Sequence, residues 1–372
     1  VVGVGGPGMS AIAIVLAEMG HDVTGSDIRE RSVLDRVRAA GVEVHVGHSR
    51  ELVHDRDAIT WSTAIPERNI ERDEADKVGV LSMHRSGMLA AICARAKSLA
   101  VAGTHGKTST TSMLMLILSE AGMRPNFVIG GDVTDMGTGA QWTGGDWLVV
   151  EADESDGTHL QLPLFGTILT NVEVDHLDHY GSFEAIVQGF DDYLAQVAGP
   201  KVLCLDDPAT ALLAAKHDCI TYGTDAAAEF RAVDVTAGEG SFTFGVLHHG
   251  VPLGTVSLPL RGVHNVRNAT GALALAVTVG VPFDVAAAAL AKFGGVARRF
   301  DVRGVDGGAT LVDDYAHLPS EIAAVVAAAR QSGDGWKRVV AVFQPNRFNR
   351  MVNMWPDYHS AFVGADVVVL TE

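Results

Sequence analysis

Short apolar runs recur along this chain, each closed by glycine, serine or asparagine and followed by a longer stretch whose apolar positions follow a helical period. That alternation predicts repeated strand–loop–helix units, hence an α/β fold with parallel sheets. The first unit opens at Val1-Val-Gly-Val, turns through glycines and continues as a helix to about Gly20. Strands are expected over 21–27, 42–46 and 58–63, and the first domain closes near Ala96. The run from Leu99 to Leu118 reads as strand, glycine loop and helix, and it opens a second domain. Further strands are expected at 146–151, 166–171, 201–205 and 219–222. Residues 130–139 read as a loop, the alternating stretch 230–258 as a hairpin, and 262–272 and 286–293 as helical. A third unit starts near Gly295, with strands near 310, at 338–343 and at 367–370 and a helix begun by Pro319. The predicted domains are therefore 1–96, 97–294 and 295–372. Val1 lies inside a predicted buried strand and the last strand runs to the end, so the chain is expected to be a piece of a longer one.

The organising motif is Gly103-Thr-His-Gly-Lys-Thr108 between an apolar strand and a helix. Its glycines let backbone N–H groups converge on phosphate oxygens, and the helix start aims its positive end at the same anion. Lys107 supplies a point charge and the Thr108 hydroxyl a Mg²⁺ ligand. A full phosphate-loop pattern has glycine at 101, where this chain has Val101, so the loop is a shorter variant. Gly3, Gly5 and Gly8 satisfy a G-x-G-x-x-G turn, with Asp27 nineteen positions beyond Gly8. Alone, that pattern predicts a dinucleotide enzyme with Asp27 on a ribose, although the same geometry holds any diphosphate-bearing ligand. Glu151 and the Asp175-His176 pair follow strand ends on the edge that carries the loop, where open α/β sheets bind ligands. Thr108, Glu151 and His176 form the candidate metal set, with His176 assigned to a second Mg²⁺ because imidazole is an unusual Mg²⁺ ligand.

The formal net charge is −17, which argues against a nucleic-acid-binding protein. Cys93, Cys204 and Cys219 are far apart, with no C-x-x-C pair, so a disulfide framework is not expected and a reducing cytoplasm is. The sequence contains no apolar span long enough for a membrane helix. His248-His249-Gly250 reads as a turn rather than a metal site.

Six motifs in order, the phosphate loop, Glu151-Ala-Asp-Glu-Ser-Asp156, Thr170-Asn-Val-Glu-Val-Asp-His-Leu-Asp178, His264-Asn-Val-Arg-Asn-Ala269, Arg298-Arg-Phe-Asp301 and Asp313-Asp-Tyr-Ala-His317, resemble the Mur ligases of peptidoglycan synthesis. Gly5-Gly-Pro-Gly-Met-Ser10 is most similar to the family member that adds alanine. The resemblance covers all three units and implies a three-domain architecture: a Rossmann-like N-terminal domain, a P-loop ATPase-like central domain and a Rossmann-like C-terminal domain. It implies ATP and Mg²⁺ as cofactors, UDP-N-acetylmuramate and L-alanine as substrates, and an acyl phosphate on the way to the amide. Lys107, Glu151 and His176 would be catalytic. Gly103, Thr104, His105, Gly106, Lys107, Thr108, Ser109, Asn265, Asn268, Arg298, Asp314 and His317 would hold ATP. Gly5, Gly6, Gly8, Met9, Ser10 and Arg347 would hold the UDP-sugar. Two departures stand out: Leu318 where the family has a second histidine, and Asn346 where it has histidine. The absence of lysine between Lys107 and Lys201 leaves no candidate for the carbamylated lysine of some sister enzymes. The competing readings are a nicotinamide-dependent oxidoreductase, a non-catalytic nucleotide-binding paralogue, and a ligase recycling muropeptides.

Overall fold

The structure, a computed structural model, describes residues 1–133 and 137–371. Its central feature is a ten-stranded sheet. Its order is Val251–Leu258, Ser241–His248, Phe230–Gly238, Ile220–Gly223, Lys201–Cys204, Gly166–Leu169, Lys97–Ala102, Trp147–Glu151, Asn126–Val133 and Thr138–Gln141. The inner strands are parallel, and antiparallel strands flank them at both ends. Lys97–Ala102 is buried along nearly its whole length because helices cover both faces. That double cover explains its continuous Leu-Ala-Val-Ala run. On one face Met113, Leu114 and Ile117 of helix Lys107–Glu120 pack with Leu273 and Ala276 of helix Val263–Thr278. On the other, Phe190, Tyr193 and Leu194 of helix Phe183–Gln196 pack with Ala11, Ile12 and Val15 of helix Pro7–Glu18. The N-terminal unit thus shares apolar packing with the central one.

Two expectations are corrected. Residues 230–258 form a three-stranded meander, not one hairpin, because two turns interrupt the alternation. Residues 130–139 are not a loop: Asn126–Val133 and Thr138–Gln141 pair as an edge hairpin, and the expectation for 134–136 lies outside the described residues. The glycines that suggested a loop serve close packing there. A Cβ on Gly139 would lie 2.7 Å from the Gly131 carbonyl oxygen.

In the N-terminal unit, residues 1–4 run between Thr24–Asp27 and Ala58–Trp61, with the Val2 N–H on the Thr60 carbonyl and the Val4 N–H on that of Ser26. Helix Pro7–Glu18 then starts at Gly6, with Pro7 in its first turn. Asp27 is not free for a ribose. Its Oδ2 accepts the Gly5 N–H at 2.9 Å and its Oδ1 accepts from the Arg29 N–H. The C-terminal unit combines the hairpin Asp301–Asp306/Ala309–Asp313, helices Pro319–Gln331 and Phe348–Ala361, and the parallel pair Val340–Phe343/Val367–Leu370. Its small core comprises Ile322, Val326, Phe343, Tyr358 and Ala361. All three cysteines are free, and no helix among the described residues is long and apolar enough to cross a membrane.

If Asp27 is a strut for the glycine turn, Asp27→Ala lowers stability by about 1–3 kcal/mol, the usual cost of orphaning a buried donor, while Asp27→Asn restores most of it. Urea unfolding of both variants measures this, and equal losses would remove the strut role.

Candidate active site

The phosphate loop follows strand Lys97–Ala102, and its shape depends on two glycines with positive φ. Gly103 sits at φ 124°, where a Cβ would meet Thr170 Oγ1 at 2.2 Å and the Asn171 backbone at 2.8 Å. Gly106 sits at φ 79°, where a Cβ would press on Asn268 at 2.8 Å. Asn171 clamps the loop from the neighbouring strand end. Its carbonyl accepts the Thr104 N–H at 3.1 Å and its side-chain oxygen accepts the His105 N–H at 2.8 Å. The Thr170 hydroxyl donates to the His105 carbonyl at 2.6 Å.

Lys107 begins the helix and folds back over the loop. Its ammonium donates to both oxygens of Glu154 at 2.9 Å, and also to the carbonyls of Gly103 at 2.5 Å and Thr104 at 3.2 Å. Burial opposes the charge on Lys107, but Glu154 and Asp153 outweigh it and raise the lysine pKa. Burial, reinforced by Asp153, pushes the Glu154 carboxyl up to about 7 despite Lys107. Burial acts likewise on Asp153, yet Arg85 and Lys107 hold that carboxyl below its usual range. Arg85 itself reaches from the N-terminal unit to Asp153 at 2.6 Å and Asp156 at 2.9 Å. Glu154, Asn171 and Arg85 were missed as site residues. Glu154 stood in a motif already noted, whereas nothing local marks Arg85.

Thr108 stands where two clefts meet. One, of about 370 Å³, is lined by His105, Gly106, Thr108, Ser109, Asn265, Asn268, Arg299 and Asp314 among others. The other, of about 450 Å³, is lined by Gly5, Pro7, Ser10, Thr108, Gly130, Glu151, Arg298, Arg299 and Tyr315 among others. Glu151 accepts the Gly130 N–H at 2.7 Å and shares the second cleft with Thr108, and burial raises its pKa above the usual range. Hence His105, Gly106, Thr108 and Ser109 of the loop, with Asn265, Asn268 and Asp314, come together around the first cleft, while Gly103, Thr104 and Lys107 are not among its lining residues; Gly5 and Ser10 face the second. Asp314 spends both oxygens on backbone, the N–H groups of Phe300 and Ala316. Gly6 caps the helix, Gly8 lies against Arg85, and Met9 is buried.

Four candidates sit elsewhere than the nucleotide cleft. Arg298, stacked on Tyr315 at 4.6 Å, lines the second cleft, and its neighbour Arg299 lines both. His317 lines neither. Its ring is held by the Tyr315 carbonyl and Glu321, and burial lowers its pKa. His176 and Arg347 share a third cleft of about 320 Å³ with Asp175 and Arg350. The His176 Nε2 lies 3.2 Å from Asp175, and burial lowers its pKa despite that carboxylate. Arg350, another residue missed, grips both Asp175 oxygens at 3.1 Å across the boundary between units. Leu318 is buried at the start of its helix, where Glu321 accepts its N–H and that of His317.

Residues 1–97 match the Mur ligase family catalytic domain, 101–276 the Mur ligase middle domain, and 298–372 the Mur ligase glutamate ligase domain. The chain belongs to the Mur ligase family. It is 42% identical to a UDP-N-acetylmuramate–L-alanine ligase of Rhodopseudomonas palustris, over all of this chain and 81% of that protein. It is 43% identical, with the same coverage, to one of Pelotomaculum thermopropionicum. Among solved structures, a UDP-N-acetylmuramate-alanine ligase of Thermotoga maritima is similar over the whole chain and 84% of its own, at TM-score 0.86 and 29% identity. A murein peptide ligase of Psychrobacter arcticus covers 93% of this chain and 78% of its own, at TM-score 0.76 and 26% identity.

In this Mur ligase a polar clasp joins the phosphate loop to the C-terminal unit. His105 Nε2 lies 3.1 Å from Glu173, its Nδ1 lies 3.4 Å from Glu321, and the Ser320 hydroxyl donates to Glu173 at 2.6 Å. Burial works against the imidazolium, but the two carboxylates outweigh it and raise the His105 pKa to about 9. A raised histidine pKa stabilises the joined state fully below the free value of ~6.5, and that contribution is lost as pH climbs through about 9. Small-angle scattering of the nucleotide-free protein should therefore show expansion between pH ~6.5 and ~9. Glu321→Gln should flatten the change, and a radius of gyration constant across that window would refute the clasp.

Proposed function

We propose that this chain is an ATP-dependent ligase of peptidoglycan synthesis. It joins L-alanine to the lactyl carboxylate of UDP-N-acetylmuramate and works in the cytoplasm. The observation that carries this reading is the junction of two clefts at Thr108. One is floored by the phosphate loop and the Asn265/Asn268 pair, the other by the glycine turn and Glu151. A triphosphate laid in the first would point its terminal phosphoryl group into the second, where a carboxylate tethered through a UDP diphosphate at the turn could meet it. Similarity to alanine-adding ligases along the full chain supports the same substrates.

The chemistry needs little covalent help from the protein. The terminal phosphoryl group passes to a lactyl carboxylate oxygen and ADP leaves. The alanine amine attacks the acyl carbon of that acyl phosphate and gives up a proton. The tetrahedral adduct then expels phosphate with its C–O electron pair. Binding the triphosphate requires Lys107 to exchange Glu154 for phosphate oxygens, so its charge is available where negative charge grows. Thr108 and Glu151 line one cleft and offer a hard oxygen pair that fits Mg²⁺. When bound, the ion supplies neutralisation of phosphate charge. His176 and Arg347, facing one cleft, are the residues proposed to meet the second ion and the substrate carboxylate. Asn265 and Asn268 face the base, and Asp314 faces the sugar.

Phosphate release from ATP should require both UDP-N-acetylmuramate and L-alanine, with glycine and serine weaker and a muropeptide inert. Lys107→Ala should lower kcat by ~10²-fold or more, as loss of a transition-state charge partner does. Release with a muropeptide in place of alanine would move the chain to the recycling ligases. Full turnover by Lys107→Ala would end the assignment of the loop.

A further inference from the structure

Outside the residues that line these clefts, toward the antiparallel end of the large sheet, one carboxylate and two imidazoles converge. Glu229 precedes strand Phe230–Gly238, while His248 ends strand Ser241–His248 and His249 opens the turn to Val251–Leu258. Both His248 Nε2 and His249 Nε2 lie 3.1 Å from Glu229 Oε1, and one donor atom from each residue falls within 4.8 Å of the others. Consecutive residues of a strand normally point to opposite faces. Here they share a face because His249 lies at φ 50° and Gly250 at φ 77°, giving a two-residue turn with both central residues left-handed. Asparagine, aspartate or glycine usually fills that first position, whereas here the imidazole of the largely exposed His249 packs on the His248 ring with centroids 4.5 Å apart.

We propose that Glu229, His248 and His249 form a binding site for a borderline divalent cation of the zinc and cobalt class. Two donors on a tetrahedral ion at ~2.0–2.1 Å lie about 3.3 Å apart, close to the nitrogen–oxygen separations seen here. Two imidazoles with one carboxylate suit such ions better than Mg²⁺ or Ca²⁺, which take oxygen ligands. The donors are held before any ion arrives. The His248 ring stacks on buried Phe230 with centroids 4.2 Å apart. The His249 N–H donates to the Glu229 carbonyl at 3.0 Å, and the Glu229 N–H donates to Thr221 Oγ1 at 3.0 Å. The exposed side of His249 leaves a fourth position to water, so the site is an open three-ligand one. An ion there would tie the meander turn to the strand it borders, and the −17 formal charge of the chain favours cation capture.

The test is a titration of the nucleotide-free protein with Co²⁺ followed by visible ligand-field absorption, and with Zn²⁺ followed by calorimetry. The expected result is one equivalent whose affinity falls by more than ~10-fold in both His249→Asn and Glu229→Gln, since even loss of a supporting hydrogen bond costs a metal site that much. His176→Ala should leave that equivalent in place, separating it from any ion at the catalytic clefts. His249→Asn suits the left-handed turn position, so circular dichroism and ligase turnover should match the parent. The proposal is overturned if no equivalent binds, if affinity is unchanged in both variants, or if the equivalent vanishes only in His176→Ala.

Discussion

The catalytic centre depends on how closely the loop after Lys97–Ala102 approaches the end of Gly166–Leu169. A loop that cradles phosphate needs its N–H groups turned inward, and backbone turned that way needs its remaining polar groups satisfied elsewhere. Thr170 and Asn171 do this from the adjacent parallel strand. They come so near Gly103 that no side chain fits between. The parallel register of the two strands sets that distance, which is why a shorter loop with Val101 at its usual glycine position still closes. Val101 lies within the strand, buried, and contributes packing rather than flexibility.

Around that loop the charges are arranged as a chain. Lys107 is held by Glu154, Asp153 lies beside both, and Arg85 carries the line into the N-terminal unit. Glu154 is buried and the other three are half-buried, so a member left as a lone ion would be costly. The arrangement is complete without a nucleotide, yet its weak point is Glu154, whose carboxyl already sits near neutrality on the pH scale. On the proposed function, a Lys107 that turned to phosphate would leave Glu154 free to take up a proton at small cost, while Asp153 kept Arg85. Readiness to lose charge at that one position would let the lysine change partners without stranding an anion.

What was legible in the sequence is what local order encodes. The phosphate loop, the parallel strands and the helix starts follow from glycine placement and apolar period, and the structure shows each within a few residues. Less legible was anything set by a partner distant along the chain. Asp27 has the spacing of a ribose acceptor, but the fold turns it onto the Gly5 N–H, because strand Thr24–Asp27 ends beside the turn. Arg298 and Arg299 are indistinguishable as letters; both reach the Tyr315 ring, but Arg298 sits at a left-handed backbone and Arg299 pairs with Glu321. Arg350 and Asp175 are 175 positions apart, and their pairing is a property of how two units meet. The edge hairpin was hidden for the opposite reason, since glycines that signal a loop locally also let two strands lie unusually close.

The clefts lie between units rather than within one, and the nature of the contacts across those gaps has a consequence for motion. The C-terminal unit has its own apolar cluster, and its links to the phosphate loop and the Asp175-His176 segment are His105 with Glu173, Ser320 and Glu321, and Asp175 with Arg350. These are polar groups that water can satisfy equally well when the gap opens, so separation costs little. The N-terminal unit differs, because Ala11, Ile12 and Val15 are built into the central core. Opening therefore falls on the C-terminal side. Under the proposed function that is the side by which a nucleotide would enter and product leave, since the C-terminal unit supplies Arg299 and Asp314 to the cleft beside Thr108.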